Sequence, residues 1–288
     1  MPERGMGITG VDSHAHVFER ALPSIAQPRH RPAYDAPPDD YLAHLDRHGV
    51  SHGVLVQPSF LGTDNHYLLD AIRRQPQRLR GVAVVAPDAS ADTLAALAAG
   101  GIVGLRLNLV GLDIPDFTAP AWQALLGRAR DLGWFVEIHR EAHDVPALLN
   151  ALRPSGCALV VDHFGRPDPM RGGEDPGFAA LLRAAGGGRV WVKLSGAYRN
   201  ARAPRLPLAR RPLDLSMRDA AAARMAATAL LHAFGPERLL WGSDWPHTQH
   251  EDMTDFARSR LVLDDWVPDA VQRRRILVDT PAALFKIA

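Results

Sequence analysis

Asp12-Ser13-His14-Ala15-His16 follows the first apolar run of the chain, with two histidines at i and i+2. In a β-strand these positions share a face, so both imidazoles would look the same way. Neutral imidazole is the commonest protein metal ligand, and two on one face make half of a zinc-type site. The chain has thirteen histidines, enough to make such pairs by chance. The weight of this pair therefore depends on what ends the other strands.

Outward from that stretch the chain repeats one unit: a short β-rich apolar run, a polar exit, then a helix-like segment. The runs are read at 8–12, 53–57, 81–86, 104–109, 134–139, 158–163, 190–195 and 239–244. Most are continuously apolar, as expected of parallel strands covered on both faces. Helix-like stretches fall at 40–48, 65–74, 90–99, 119–132, 145–152, 178–185 and 217–234, with two more at 253–263 and 271–277. Alternating units of this number and length predict a (β/α)8 TIM barrel forming one domain over 1–288. A doubly wound sheet is the alternative. Its first turn usually carries a glycine-rich phosphate loop, where this chain has DSHAH. Pro/Arg-rich stretches at 27–38 and 203–212 read as long loops, which in compact domains are often functional.

Composition narrows the function classes. In 288 residues, 47% hydrophobic and 23% charged, the formal net charge is +1 with no basic or acidic block. Nothing here asks for nucleic acid or an anionic membrane as a partner. The N-terminal residues lack the apolar stretch of a signal peptide, and no run is long enough to span a bilayer. A single cysteine, Cys157, excludes a disulfide framework and is compatible with a cytoplasmic location. Beside Ala158-Leu159-Val160 it reads as a small buried hydrophobe.

Barrel enzymes build their sites at the C-terminal ends of the strands, and that is where the polar residues fall. His14 and His16 end the first run, Gln57 and Ser59 the second, Arg106 and Asn108 the fourth, and His139 the fifth. Asp162 and His163 end the sixth with Arg166 just beyond, Lys193 and Ser195 the seventh, and Asp244 the eighth. A capping Asp or a hydrogen-bonded core His is the ordinary explanation of any one of these. Histidines and an aspartate at four strand ends together point to a catalytic site.

These residues carry a resemblance. DSHAHVF at 12–18, QPSFLGTDN at 57–65, GLRLN at 104–108, VDHFGRPD at 161–168 and WGSDWPH at 241–247 resemble the amidohydrolase superfamily. Within it, the resemblance is to the lactonase group typified by pyrone-dicarboxylate hydrolases. It covers nearly the whole chain and implies a (β/α)8 barrel that hydrolyses a small anionic lactone. By resemblance, His14 and His16 match the first-strand pair, His163 the sixth-strand histidine, and Asp244 the aspartate that acts on the attacking water. Arg106, Arg166 and Arg199 match positions that hold substrate carboxylates, a task suited to the guanidinium fork. Ser59 and Tyr198 are further substrate contacts to test. His247 and His250 are expected behind the site or facing solvent.

The chain departs from the pattern in two places. Where pyrone-dicarboxylate enzymes carry a further arginine after GLRLN, it reads Leu109-Val110-Gly111-Leu112. Its fifth strand ends in His139, where pyrone-dicarboxylate enzymes tend to have a non-ligand and metal-dependent members of the superfamily have a histidine ligand. One divalent metal, Zn or Mn, is therefore expected on His14, His16, His139 and Asp244, with a metal-free site, as the pyrone-dicarboxylate resemblance implies, as the alternative. A binuclear site is not expected, because no glutamate or lysine ends the fourth run. Two rival activities share this framework, a metal-dependent non-oxidative decarboxylase and a sugar-acid lactonase. A non-catalytic binding protein would account for the arginines but not for the His and Asp residues.

Overall fold

The computed structural model describes residues 7–200 and 213–288, so the predicted loop at 203–212 lies outside the described residues. Eight parallel strands follow one another in chain order: β1 (Val11–Ala15), β2 (His52–Val56), β3 (Leu79–Ala83), β4 (Ile102–Asn108), β5 (Phe135–His139), β6 (Ala158–Val161), β7 (Val190–Leu194) and β8 (Leu239–Trp241). The backbone after β8 closes the ring on β1, through Asp244 N–H to His14 O at 2.8 Å and His16 N–H to Trp245 O at 2.8 Å. This is the (β/α)8 barrel expected from the repeat.

Among the described residues seven α-helices connect the strands: α1 (Pro38–Arg47), α2 (His66–Arg74), α3 (Ala91–Ala99), α4 (Pro120–Asp131), α5 (Val145–Leu152), α6 (Pro176–Ala184) and α7 (Leu213–Phe234). Their starts are set locally. Ser90 and Asp175 accept hydrogen bonds from first-turn amides of α3 and α6, and proline opens α1, α4, α5 and α6, where no amide is needed. After β8 come α8 (Phe256–Trp266), α9 (Ala270–Arg274), a π turn (Arg275–Asp279) and α10 (Thr280–Phe285). The predicted helix at 271–277 thus runs on through the π turn. Phe285 from its end joins Val11, Val54, Val82, Phe135, Val160 and Leu240 in an apolar plug inside the barrel.

The first strand corrects the sequence reading most. It was expected at 8–12 and lies three residues later, because Asp12 and Ser13 are paired inside the sheet and are no polar exit. Ser13 Oγ donates to Trp241 O at 2.6 Å, and Asp12 accepts from Ser243 N–H at 2.8 Å and Ser243 Oγ at 2.5 Å. Asp12 thereby fastens β1 to the segment that carries Asp244. The β1–β2 register shifts between Asp12 and Ala15. With that shift Val11 joins the apolar plug while His14 and His16 both enter the site above it. Gly242 lets β8 come this close, since a Cβ there would lie 2.6 Å from His14 Cβ.

Strand alternation stacks the barrel interior in layers. Phe135, Glu137 and His139 climb β5, Val160 and Asp162 climb β6, and Leu240, Gly242 and Asp244 climb β8. The lowest layer is apolar, the next is charged, and the uppermost carries the candidate chemistry.

Candidate active site

The charged layer is a closed electrostatic unit. Lys193 Nζ, fully buried, donates to Glu137 Oε2 and lies 3.4 Å from Asp162 Oδ1. Arg106 approaches the same two acids, its Nε 3.4 Å from Glu137 Oε1 and its Nη2 3.3 Å from Asp162 Oδ2. Two basic and two acidic side chains pair where an unpaired charge would be very costly. Burial, helped by the nearby Asp162, pushes the Glu137 carboxyl up to about 7 against the pull of Lys193. Burial also favours a neutral Asp162, but Lys193 and His14 outweigh it and hold that carboxyl well below the usual range. Arg106, expected to bind substrate, is thus anchored from below and only 5% exposed, though its guanidinium still lines the cleft.

On this layer stand the first-strand histidines. His14 Nδ1 sits 3.0 Å from Lys193 Nζ and 3.3 Å from Asp162 Oδ1. His14 Nε2 is buried without a hydrogen-bond partner, 3.8 Å from Asp244 Oδ1. His16 Nδ1 lies 2.7 Å from Val56 O. A carbonyl can only accept, so Nδ1 carries the proton and Nε2, 3.9 Å from Asp244 Oδ1, keeps its lone pair. Burial holds His16 down at about 3 and His163 at about 4, and carries His14 and His139 well below 6.5. All four imidazoles are therefore neutral at pH 7.

Asp244 is gripped from the opposite side. Arg199 Nε donates to Oδ2 at 2.6 Å and Nη2 to Oδ1 at 3.3 Å, while Tyr198 O–H donates to Oδ2 at 2.5 Å. Burial opposes ionisation here, yet the Arg199 guanidinium keeps the Asp244 carboxyl well below the usual carboxylate range. Arg199, matched by resemblance to a substrate contact, thus closes its fork on the aspartate while lining the cleft. Gly196, at φ +56°, makes room for the cluster: a Cβ there would lie 2.7 Å from Asp244 Oδ2 and 2.9 Å from His163 Nδ1. His247 and His250 are buried, not solvent-facing, and both rings pack on Tyr198.

His163 completes the group, with Nδ1 2.9 Å from Ser195 Oγ and its ring edge-on to His14 and His139. Six of the seven non-glycine residues with positive φ among the described residues lie in the turns after β6 and β8: His163, Phe164, Arg166, Asp244, His247 and Gln249. Backbone strain of this kind persists where the surroundings impose it, typically at functional sites. Ser59 lines the cleft as expected, and Arg166 adjoins it through His139, with its Nη1 3.1 Å from His139 Nε2.

The donor set for a metal differs from the expected one. His14, His16 and Asp244 bring one ligand atom each to within 4.8 Å of one another, and with the His14 Nδ1 proton donated to Asp162 the unpartnered Nε2 would offer its lone pair to a cation. Two imidazoles and a carboxylate fit a single divalent ion. His139 is not part of this group. Its Nδ1 lies 3.0 Å from Asn108 Oδ1 and its Nε2 faces the Arg166 guanidinium, so the lone pair expected on a metal is occupied by a donor. A second grouping, His14, Asp162 and His163, shares His14 with the first.

Sequence reasoning missed two contributors, Glu137 and Asp12, and flagged the 27–38 loop without singling out Arg29, which lines the cleft. Glu137 could have been found from alternation, two residues before His139 on one strand. Asp12 was read as part of an exit, and Arg29 lies in a loop with no periodic signal.

A closed barrel with an H-x-H pair on β1 and a buried aspartate after β8 defines an amidohydrolase-type enzyme. The family model described as amidohydrolase matches residues 11–287, and the chain belongs to this family, in its lactone-hydrolase group. It is 32% identical to the 2-pyrone-4,6-dicarboxylate hydrolase of Comamonas testosteroni, over 99% of this chain and 92% of the relative. It is 31% identical to the 4-sulfomuconolactone hydrolase of Hydrogenophaga intermedia, over 95% and 88%. Among solved structures, a Pseudomonas putida protein assigned as a 2-pyrone-4,6-dicarboxylic acid hydrolase superposes with a TM-score of 0.87 at 48% identity, covering 98% of this chain and 99% of that one. An Acinetobacter baumannii protein assigned likewise, with citric acid bound, gives 0.89 at 38%, covering 97% and 100%.

Proposed function

We propose that this enzyme opens the ring of a small anionic lactone by adding water to its carbonyl carbon. The observation that carries this is Asp244, a buried, ionised carboxylate 3.8 Å and 3.9 Å from the neutral imidazoles of His14 and His16, directly behind a cleft lined by His16, His163, Arg106 and Arg199. The inner cavity is lined by His16, Ser59, Arg106, His139, His163 and Arg199, chiefly imidazole and guanidinium groups suited to a small anion. Lactone-hydrolase relatives at 31–32% identity, two of them named for doubly anionic lactones, support the substrate class.

Arg166 holds an anionic group of the lactone and fixes its carbonyl over the water, while Arg106, paired from below, lines the cleft beside it. Asp244 accepts a proton from that water as its oxygen bonds to carbon. Ser195 Oγ–H donated to His163 Nδ1 would leave Nε2–H free to donate to the oxyanion. Neutral His16, with its proton committed to Val56 O, accepts a hydrogen bond from the water and cannot donate to the oxyanion. The protonated Asp244 then returns its proton to the ring oxygen as the C–O bond breaks. A divalent ion, Zn²⁺ or Mn²⁺ by its donors, held by His14, His16 and Asp244 would supply Lewis acidity and a more acidic water. The decarboxylase alternative relied on a metal shell through His139, which this geometry does not assemble.

The test is proton release in a pH-stat with lactones bearing carboxylate or sulfonate groups. Wild type should consume them, and Asp244→Asn should fall about a thousandfold in kcat while still binding. Release of CO2 in place of ring opening, or a full-speed Asp244→Asn enzyme, would overturn the proposal.

A further inference from the structure

Arg29 lies in the loop between β1 and α1, far in sequence from every strand end. Its guanidinium reaches across the barrel mouth, where Nη1 donates to Val110 O at 3.0 Å. The stretch it touches, 109–112, has no charged side chain of its own. That carbonyl is its one protein partner among the described residues, and no carboxylate pairs with it there. Arg29 also stands at a junction. It lines the inner cavity with His16, His139 and His163, and the adjoining cavity with Val85, Leu109 and Trp122. Arg106, Ser59 and Asn108 line both, so the two form one bipartite cleft.

The other guanidinium groups of the cleft are already committed, Arg106 to Glu137 and Asp162, and Arg199 to Asp244. Arg166 has a neutral partner, His139. Partial burial, with Arg106, Arg166 and Arg199 close by, brings Arg29 down to about 10, still a cation at neutral pH. An exposed arginine repelled by three others would ordinarily turn to water. This one is tethered at the cleft lip by a backbone carbonyl, which leaves the remaining N–H groups of its fork for a ligand.

We propose that Arg29 is a specificity-determining residue that binds a second anionic group of the substrate, across the cleft from the one held by Arg166. The loop thus sets the number of charges the enzyme prefers on its substrate. A ring bearing two anionic groups would place one on each guanidinium, and Val85 and Leu109 line the adjoining cavity beside Arg29. The assignment deepens the lactonase proposal and takes its substrate from it.

Ligand binding tests it without turnover. Isothermal titration calorimetry would compare benzene-1,3-dicarboxylate with benzoate on wild type, Arg29→Met and Arg29→Lys, with thermal melts to verify folding. Arg29→Met should weaken the dicarboxylate at least about tenfold and benzoate by no more than about twofold. Arg29→Lys should recover part of the loss, because it restores the charge and not the fork. An equal loss for both ligands would make Arg29 a loop brace, and no loss would make it a solvent-facing side chain; either overturns the proposal. If wild type opens no lactone in the pH-stat, the lactonase proposal fails while this comparison still reads Arg29.

Discussion

Beneath the cleft, Lys193, Arg106, Glu137 and Asp162 lie fully or almost fully buried, and each has an opposite charge within 3.4 Å. At the mouth, Arg29 and Arg166 have no carboxylate partner among the described residues and face a carbonyl and a neutral imidazole. The same side-chain chemistry is thus used in two ways. In the floor the charges neutralise one another and hold His14 in place. At the rim positive charge is left for a ligand to neutralise. The difference follows from solvent: a buried charge without a partner costs several kcal/mol, whereas a partly hydrated guanidinium can wait for one.

The comparison breaks most visibly at Lys193. Lys193→Met leaves two buried carboxylates sharing one guanidinium, so stability in urea unfolding should fall by about 3–5 kcal/mol. Adding Glu137→Gln should recover much of that loss, because the two sites are directly coupled. An unchanged midpoint for Lys193→Met would mean the floor does not rely on charge pairing. At the rim the response should be the reverse. Arg166→Met is expected to leave stability within about 0.5 kcal/mol and raise KM for an anionic lactone roughly 10- to 100-fold, with kcat little altered. A stability loss as large as that of Lys193→Met would erase the distinction between floor and rim.

Arg199 lies between the two regimes, since it sits in the cleft wall yet is paired with Asp244. A general base works only when ionised, so activity is lost as pH falls through its pKa. Arg199 holds that pKa low and therefore holds the acid limb at low pH. Arg199→Met should move the acid limb of kcat/KM to higher pH, and an unmoved limb would assign it to another group. The smallest effect concerns His139. Zinc uptake by metal-stripped protein, measured by inductively coupled plasma mass spectrometry, should match wild type in His139→Ala and drop in His16→Ala. Loss with His139→Ala would restore the four-residue shell.

The strand-ends were legible because burial on both faces writes parallel strands as apolar runs, and the polar residue that stops each run is conspicuous. His14, His16, His163 and Asp244 were found in this way. Glu137 was not, because it lies inside the run read at 134–139 and not at its polar end, and only pairing with Lys193 from another strand makes a charge there tolerable. The β1 boundary slipped for the same reason: Asp12 and Ser13 read as an exit until their partners Trp241 and Ser243 are seen.

Sequence alone determined the eightfold repeat, the barrel it implies and the type of chemistry at the strand ends, since these follow from hydrophobic period and residue type within short windows. Tertiary structure decided which partner each charged group has. It paired Arg199 with Asp244, turned His139 toward Arg166, and carried Arg29 from a patternless loop to the lip of the cleft. Charge pairing acts through space across residues far apart in the chain, and no local pattern records it.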